Sequence, residues 1–330
     1  MSCRRAVLAA WVLILMASLS ACGPARQQFG KPNGADRIEG GFFHTADGVA
    51  MPLRAWLPAG RPNAVVLALH GMNDYSRSFE MPANAWRGQG IAVYAYDQRG
   101  FGGSPQRGIW PGTALMVRDL KAMATLLRAR HPGVPLYLLG MSMGGAVVMA
   151  ALGESEPVSA DGAILVAPAV WSRDLMPPYY PPAMWIAAHM APGVLVTSDD
   201  VRRVPTDNIA VMRELTRDPR VIKRTRADAG YGVANLMDAA VTAAPRLKLP
   251  VLLLYGERDQ VIRPKPVRSA IARMPKARLR VAVYPNGWHY LLRDKQRVVV
   301  HRDVAAWIAD RSAPLPSGAD KRPLKLGKGE

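Results

Sequence analysis

From Ile38 onward, short apolar runs recur along the chain, each bounded by Gly, Pro or Asn. The runs at Arg54–Leu57, Val65–Leu69, Ala92–Tyr96, Leu136–Gly140, Ala163–Val166, Val251–Tyr255 and Leu279–Val283 are short enough to predict strands. Several are near-continuous in Val, Leu and Ala, as strands covered on both faces must be. Helical patterns fall between them at Ala114–Arg130, Gly145–Leu152, Pro266–Met274 and Val298–Ile308. Alternating strands and helices predict an α/β fold, with a mostly parallel central sheet and helices on both faces. The stretch Ile38–Leu57 reads as an antiparallel hairpin turning at Ala46-Asp47-Gly48.

One stretch breaks the alternation. Residues 168–245 hold no clear buried strand, and they include Met176-Pro-Pro-Tyr-Tyr-Pro-Pro182 followed by Met184, Trp185, Ile186 and Met190. An insertion of this size between two core strands predicts a helical cap. The expected organisation is a leader at 1–21, a flexible tether at 22–36, one α/β domain at 37–311 with its cap at about 168–245, and a disordered basic tail at 312–330. With 330 residues, 49% hydrophobic and 21% charged, the chain can bury a large core, and no solenoid repeat is present.

The first 22 residues change the picture of where the protein works. Arg4-Arg5 precede an apolar run from Ala6 to Leu19, which ends in Leu19-Ser20-Ala21-Cys22. The run is short for a membrane span and has the layout of a secretory signal. With its cysteine directly after Leu-Ser-Ala, it resembles the bacterial lipoprotein signal. That resemblance implies cleavage before Cys22, acylation of Cys22 and a mature chain of 309 residues. A signal cleaved elsewhere, or an uncleaved short anchor, fits the same run. Gly23 rather than Asp follows Cys22, which by resemblance to enterobacterial sorting implies an outer-membrane lipoprotein facing the periplasm. Cys3 and Cys22 are the only cysteines, so neither a downstream disulfide nor a thiolate metal site is available.

The chain has 43 Lys and Arg against 25 Asp and Glu, a formal +18. Loss of Arg4 and Arg5 with the leader leaves +16. The basic residues are scattered and no nucleic-acid-binding module is present, so anionic lipid at a membrane surface, or no specific partner, accounts for the charge.

The chemistry centres on Gly140-Met141-Ser142-Met143-Gly144. The G-x-S-x-G pattern is weak alone, but here it follows a strand, Pro135–Leu139, and opens a helix whose first residues are small. That is the setting of a nucleophile elbow, which holds the serine in a strained turn with its oxygen presented. A glycine-rich turn whose serine only caps the helix is the alternative.

Two further segments complete the pattern. Leu69-His70-Gly71-Met72-Asn73-Asp74-Tyr75-Ser76 follows one strand, and Tyr96-Asp97-Gln98-Arg99-Gly100-Phe101-Gly102-Gly103-Ser104 follows the next. With the elbow, they resemble the α/β-hydrolase fold, in its monoacylglycerol lipase and lysophospholipase-like branch (serine aminopeptidase S33 type), over about residues 40–310. The resemblance implies a Ser142, Asp259, His289 triad. His289 lies in Asn286-Gly287-Trp288-His289-Tyr290 beyond the last strand, and Asp259 lies in Tyr255-Gly256-Glu257-Arg258-Asp259. The order Ser, Asp, His is that of this fold. Glu257 and Asp97 are rivals for the acid, the first read as a solvated turn residue and the second as structural. His70 reads as packing under the oxyanion loop. His44, His131, His189 and His301 lie outside the family's histidine loop.

In this reading the oxyanion is held by the backbone N–H groups of Met72 and Met143. The reaction uses no cofactor and no metal. The Met-, Trp- and Tyr-rich cap, with Met72, Met141 and Met143 flanking the site, suits an acyl chain. The expected activity is therefore hydrolysis of carboxylic esters, with monoacylglycerol or lysophospholipid as substrate. A small-ester esterase or thioesterase would carry the same triad. A non-catalytic envelope lipoprotein would be expected to lose triad members, and all three are present.

Overall fold

The computed structural model describes residues 23–197 and 203–325. The expected leader, with Cys3 and the acylation site Cys22, lies outside the described residues. The strands are β1 (Arg37–Glu39), β2 (Phe42–His44), β3 (Ala50–Trp56), β4 (Ala64–Leu69), β5 (Ile91–Tyr96), β6 (Leu136–Met141), β7 (Gly162–Val166), β8 (Leu195–Thr197), β9 (Arg224–Arg226), β10 (Val251–Gly256) and β11 (Leu279–Tyr284). The helices are α1 (Glu80–Arg87), α2 (Thr113–Arg130), α3 (Met143–Leu152), α4 (Tyr180–Met190), α5 (Ile209–Arg217), α6 (Ala227–Ala243), α7 (Pro264–Arg273) and α8 (Arg297–Ala309). Among the described residues, none of these helices is long and apolar enough to cross a membrane.

Nine strands form one sheet in the order β1-β2-β3-β5-β4-β6-β7-β10-β11. The strands from β5 through β11 run parallel, and β3 joins β5 antiparallel. Every residue of β4, β5, β6, β7 and β10 is buried, which is why their sequences are apolar without alternation. Successive side chains divide between two cores. Val65, Leu67 and Leu69 pack with α2, α3, α6 and α7, whereas Ala64, Val66 and Ala68 pack with α1 and α8. The seven expected strands and four expected helices are all present, with shifted ends. Helix α1 carries no sequence expectation because Pro82 interrupts it. Pro82 stands in the first turn, where its missing N–H breaks no helical bond, and Ala83 and Trp86 bury the inner face.

Three expected boundaries differ. The tether is tied to the body at points, although residues 28–35 are exposed: the Gln27 N–H donates to Trp110 O (3.1 Å), and the Arg118 guanidinium lies 4.3 Å over the Phe29 ring. The described part of the tail, 312–325, packs on the body. Leu315 and Ala319 enter the second core, and the Ser317 N–H donates to the Asp303 carboxylate at 3.0 Å. Two apolar side chains among the prolines and lysines are enough to seat it. The cap is also shorter than 168–245, because α6 belongs to the body and packs along α3. Gly232 lies against the Trp110 ring and Gly153 against Ala243, so any side chain there would clash. The cap proper is α4, α5 and the exposed two-stranded β8–β9 ribbon.

Candidate active site

Parallel strands that all point one way bring the loops after β4, β6, β10 and β11 to one edge of the sheet. Ser142 follows β6 and stands at the N-cap position of α3 with φ 52° and ψ −116°, a strained conformation for a non-glycine residue. Close packing enforces it. A Cβ on Gly144 would stand 2.1 Å from Leu69 O, and one on Gly140 would stand 2.4 Å from Gly144 O. The turn is therefore a nucleophile elbow in geometry as well as in sequence.

Backbone hydrogen bonds carry this turn across the strand ends. The Ser142 N–H donates to Val166 O and the Ala167 N–H to Leu254 O, each at 2.9 Å. Beyond β10, the Glu257 N–H donates to Tyr284 O (3.0 Å) and the Arg258 N–H to Gly287 O (2.9 Å). Nucleophile, acid and histidine loops are thus stitched edge to edge.

Asp259 and His289 are brought together, with Asp259 Oδ2 2.8 Å from His289 Nδ1. The other carboxylate oxygen, Oδ1, accepts the N–H groups of Val261 (2.7 Å) and Ile262 (2.9 Å). A carboxylate so placed fixes the ring and puts the proton on Nδ1, leaving Nε2 as the free base. Ser142, Asp259 and His289 are all buried. Ser142 Oγ and the His289 ring form no hydrogen bond in this structure. In this class the nucleophile–base contact is often loose before substrate binds.

The two expected oxyanion donors flank Ser142. Met143 opens α3, where a first-turn N–H has no acceptor within the helix. Gly71, just before Met72, lies so close that a Cβ on it would sit 3.3 Å from Ser142 Cβ. His70 holds this loop: its Nδ1 donates to Gly71 O and its Nε2 accepts the Gln98 N–H, both at 2.9 Å. Burial lowers the His70 pKa, keeping it neutral as that pairing requires. Asp97 accepts the Ser76 N–H (3.0 Å) and the Gly103 N–H (2.8 Å), so it is structural as expected. Glu257 is exposed and has no part in the pair. Met141 and Met143 adjoin Ser142 in the chain, and their side chains enter the packed interior. Both are wholly buried, one in each core, while Met72 remains half-buried beside the site.

Several residues that sequence reasoning passed over tie the cap to these loops. The Ile222 N–H donates to Asn73 O (2.9 Å), and Asn73 Nδ2 donates to Thr225 Oγ1 (2.7 Å). The Tyr290 N–H donates to Pro205 O (2.9 Å), and the Val204 N–H donates to Gln260 Oε1 (3.0 Å). Asp294 joins the two sides, accepting Thr206 Oγ1 (2.6 Å) from the cap and the Trp288 N–H (2.6 Å) beside His289. Burial raises Asp294 to about 6, against the two hydrogen bonds. Asp74, buried beside the oxyanion loop, is likewise raised by burial, with the Arg293 guanidinium 3.6 Å away. Asn73, Asp74, Trp288 and Tyr290 lie within the quoted loops, whereas Thr206, Ile222, Thr225 and Asp294 lie outside them and carried no signal. Among the described residues no group of three or more His, Cys, Asp or Glu side chains could hold a metal ion.

The fold and the elbow define an α/β-hydrolase. Residues 60–296 match the family described as "Serine aminopeptidase, S33", and the chain belongs to that family. It is 26% identical over 278 residues to a monoacylglycerol lipase of Mycolicibacterium smegmatis, covering 81% of this chain and 95% of that one. To the human monoglyceride lipase it is 26% identical over 279 residues, covering 81% and 89%. The crystal structure of Paleococcus ferrophilus monoacylglycerol lipase superposes with a TM-score of 0.67 at 23% identity, covering 78% of this chain and 98% of that one. The protein is a carboxylic ester hydrolase.

Proposed function

We propose that this protein hydrolyses single-chain acyl esters, monoacylglycerol or lysophospholipid, through a Ser142–His289–Asp259 triad. The observation that carries the reading is the Asp259–His289 pair beside the strained elbow. His289 Nε2 takes the Ser142 proton as Oγ attacks the ester carbonyl, and the negative oxygen is held by the Met72 and Met143 N–H groups. The alcohol leaves with the proton from His289. Water then attacks the acyl-enzyme, giving its proton to His289, and the fatty acid and free Ser142 are released. Relatives named as monoacylglycerol lipases support the substrate class, as does the Met- and Trp-bearing cap tied to the loops around the buried serine.

The test is fluorophosphonate labelling of the full chain in detergent micelles, with turnover of esters of graded chain length. Labelling of the wild type, but not of Ser142→Ala or His289→Ala, is expected. Ser142→Ala should lower turnover by about 10⁴-fold or more without unfolding the chain. Undiminished turnover in that variant would overturn the triad, and a preference for acetyl esters alone would overturn the lipid substrate. The leader supports a Cys22-linked acyl anchor, on the outer membrane facing the periplasm. Radiolabelled palmitate should enter the wild type and not Cys22→Ala, and equal incorporation would reject the anchor.

A further inference from the structure

We propose that a basic groove on the cap binds the phosphate of the substrate's head group, so that single-chain esters bearing a phosphate are taken in preference to neutral ones. The inference deepens the ester-hydrolase reading of Ser142 and rests on it. The groove, about 680 Å³, runs between Arg107 on the body and the cap segment that links α5 to β9. Arg107, Arg217, Lys223 and Arg224 line it, with Arg226 at its end paired to Asp228 at 2.7 Å. The one acidic side chain in its wall, Asp218, is already engaged. It accepts the Tyr75 hydroxyl (2.6 Å) and the Arg220 N–H (2.8 Å).

Two of the cations are held by backbone carbonyls, and Asp218 and Asp74 offset only part of the charge at Lys223. The Arg107 guanidinium donates to Pro219 O at 2.5 Å, and Lys223 Nζ donates to Leu215 O. Each keeps further donors. Among the described residues, neither Arg217 nor Arg224 is in an ion pair. Burial lowers the Lys223 pKa, a cost that an anion in the groove would relieve. Lone surface ion pairs contribute little, but several like charges converging on one concave wall focus a field that selects anions.

Position makes this a substrate subsite rather than a charged face elsewhere. The groove shares Gly108, Ile222, Arg224 and Arg226 with a narrow cleft that reaches Met72 and Asn73. Met72 supplies an oxyanion donor in the proposed mechanism, and the Ile222 N–H is bonded to Asn73 O at 2.9 Å. The arginines thus stand at the outer end of a cleft that starts at the oxyanion loop; its free volume of about 10 Å³ holds one water, so a head group must part its walls to reach them. A phosphate monoester matches forked guanidinium donors better than an uncharged glycerol does.

The experiment compares kcat/KM for a monoacylglycerol and for the 3-phosphate of the same monoacylglycerol, in neutral detergent micelles with the full chain. The wild type should favour the phosphate ester by about tenfold at low salt, and the preference should shrink as salt rises. In Arg217→Gln/Arg224→Gln the ratio should fall to near unity. An unchanged ratio in that variant, or wild-type preference for the neutral ester, would overturn the groove while leaving the hydrolase intact. Calorimetric titration with glycerol 3-phosphate reads the groove independently of turnover. Binding to the wild type and not to the double variant is expected even if no ester is cleaved, in which case only the hydrolase reading fails. Inorganic phosphate binding as tightly as glycerol 3-phosphate, with no substrate preference, would mark a free-anion site and reject the head-group assignment.

Discussion

Helices α3 and α4 are both strongly apolar, yet they have opposite fates. Every residue of α3 is buried, whereas on α4 only Ala188 is. Helix α3 is built mostly of Gly, Ala and Val, with Met143, Met149 and Leu152, and fits between the sheet and α6. Helix α4 carries Tyr180, Trp185, Ile186 and Met190 outward. The body is therefore specified by close packing, and the cap by a few polar ties to the catalytic loops. Apolar content alone does not distinguish the two; what lies opposite each face does.

The contrast is broken most severely by adding one methyl group. Gly144→Ala places a Cβ on the Leu69 backbone, which has no flexible end to give way. It should cost about 4 kcal/mol or prevent folding. Gly230→Ala, on α6, meets nothing within 4 Å and should stabilise by about 0.5–1 kcal/mol through helix propensity. Urea unfolding of the pair is the measurement, and equal effects would reject the packing account.

A smaller effect separates body from cap by function. Leu67→Ala, fully buried in β4, should cost about 3 kcal/mol and leave the turnover of the folded fraction unchanged. Trp185→Ala, on the exposed side of α4, should move stability by less than about 0.5 kcal/mol. It should raise KM for long-chain esters while sparing short ones, if the cap meets the acyl chain. A matching loss on short esters would place Trp185 in the fold rather than in recognition.

The same contrast explains what could be read in advance. The sheet was legible because strands such as Val65–Leu69 and Val251–Tyr255 are buried on both faces and punctuated by turns. The elbow, Asp259 and His289 were legible because each follows a strand end whose loop has a residue pattern of its own. The cap's inner limit was not, since α6, like the exposed α4, is rich in Ala and has no long apolar run that would mark a core helix. Its assignment to the body depends on Trp110, which meets Gly232, and on Gly153, which meets Ala243, both distant in sequence. The packed tail was missed because Leu315 and Ala319 are two buried residues within a polar stretch. Asp294 and Thr206, 88 residues apart, meet only once the cap folds back.

Asp294 and His301 allow the seam and the body to be told apart by pH. Asp294 lies at the seam, and burial raises it from 3.8 to about 6. Below pH 4 both folded and unfolded chains carry its proton. Between about 4 and 6 only the folded chain keeps it, so this group makes stability fall as pH rises. His301 lies in the body with Nε2 donating to Leu292 O at 2.8 Å, and burial lowers it from 6.5 to about 4. Above pH 6.5 it is neutral in both states, and below that the unfolded chain gains a proton first. This group therefore makes stability fall as pH drops. The two slopes oppose each other across one window and flatten the wild-type profile. Each shift alone corresponds to at most roughly 3 kcal/mol, and local relaxation should leave about 1–2. Relative to the wild type, Asp294→Asn should thus gain stability from pH 4 to pH 7, and His301→Gln should gain it from pH 7 to pH 4. Denaturant titrations at intervals of one pH unit measure both differences, and hydrogen bonds lost equally at every pH cancel from the comparison. Variant curves running parallel to the wild type would show that neither group is desolvated as its position implies. Opposite slopes would show that the cap seam, held by polar contacts, is as dry as the packed body.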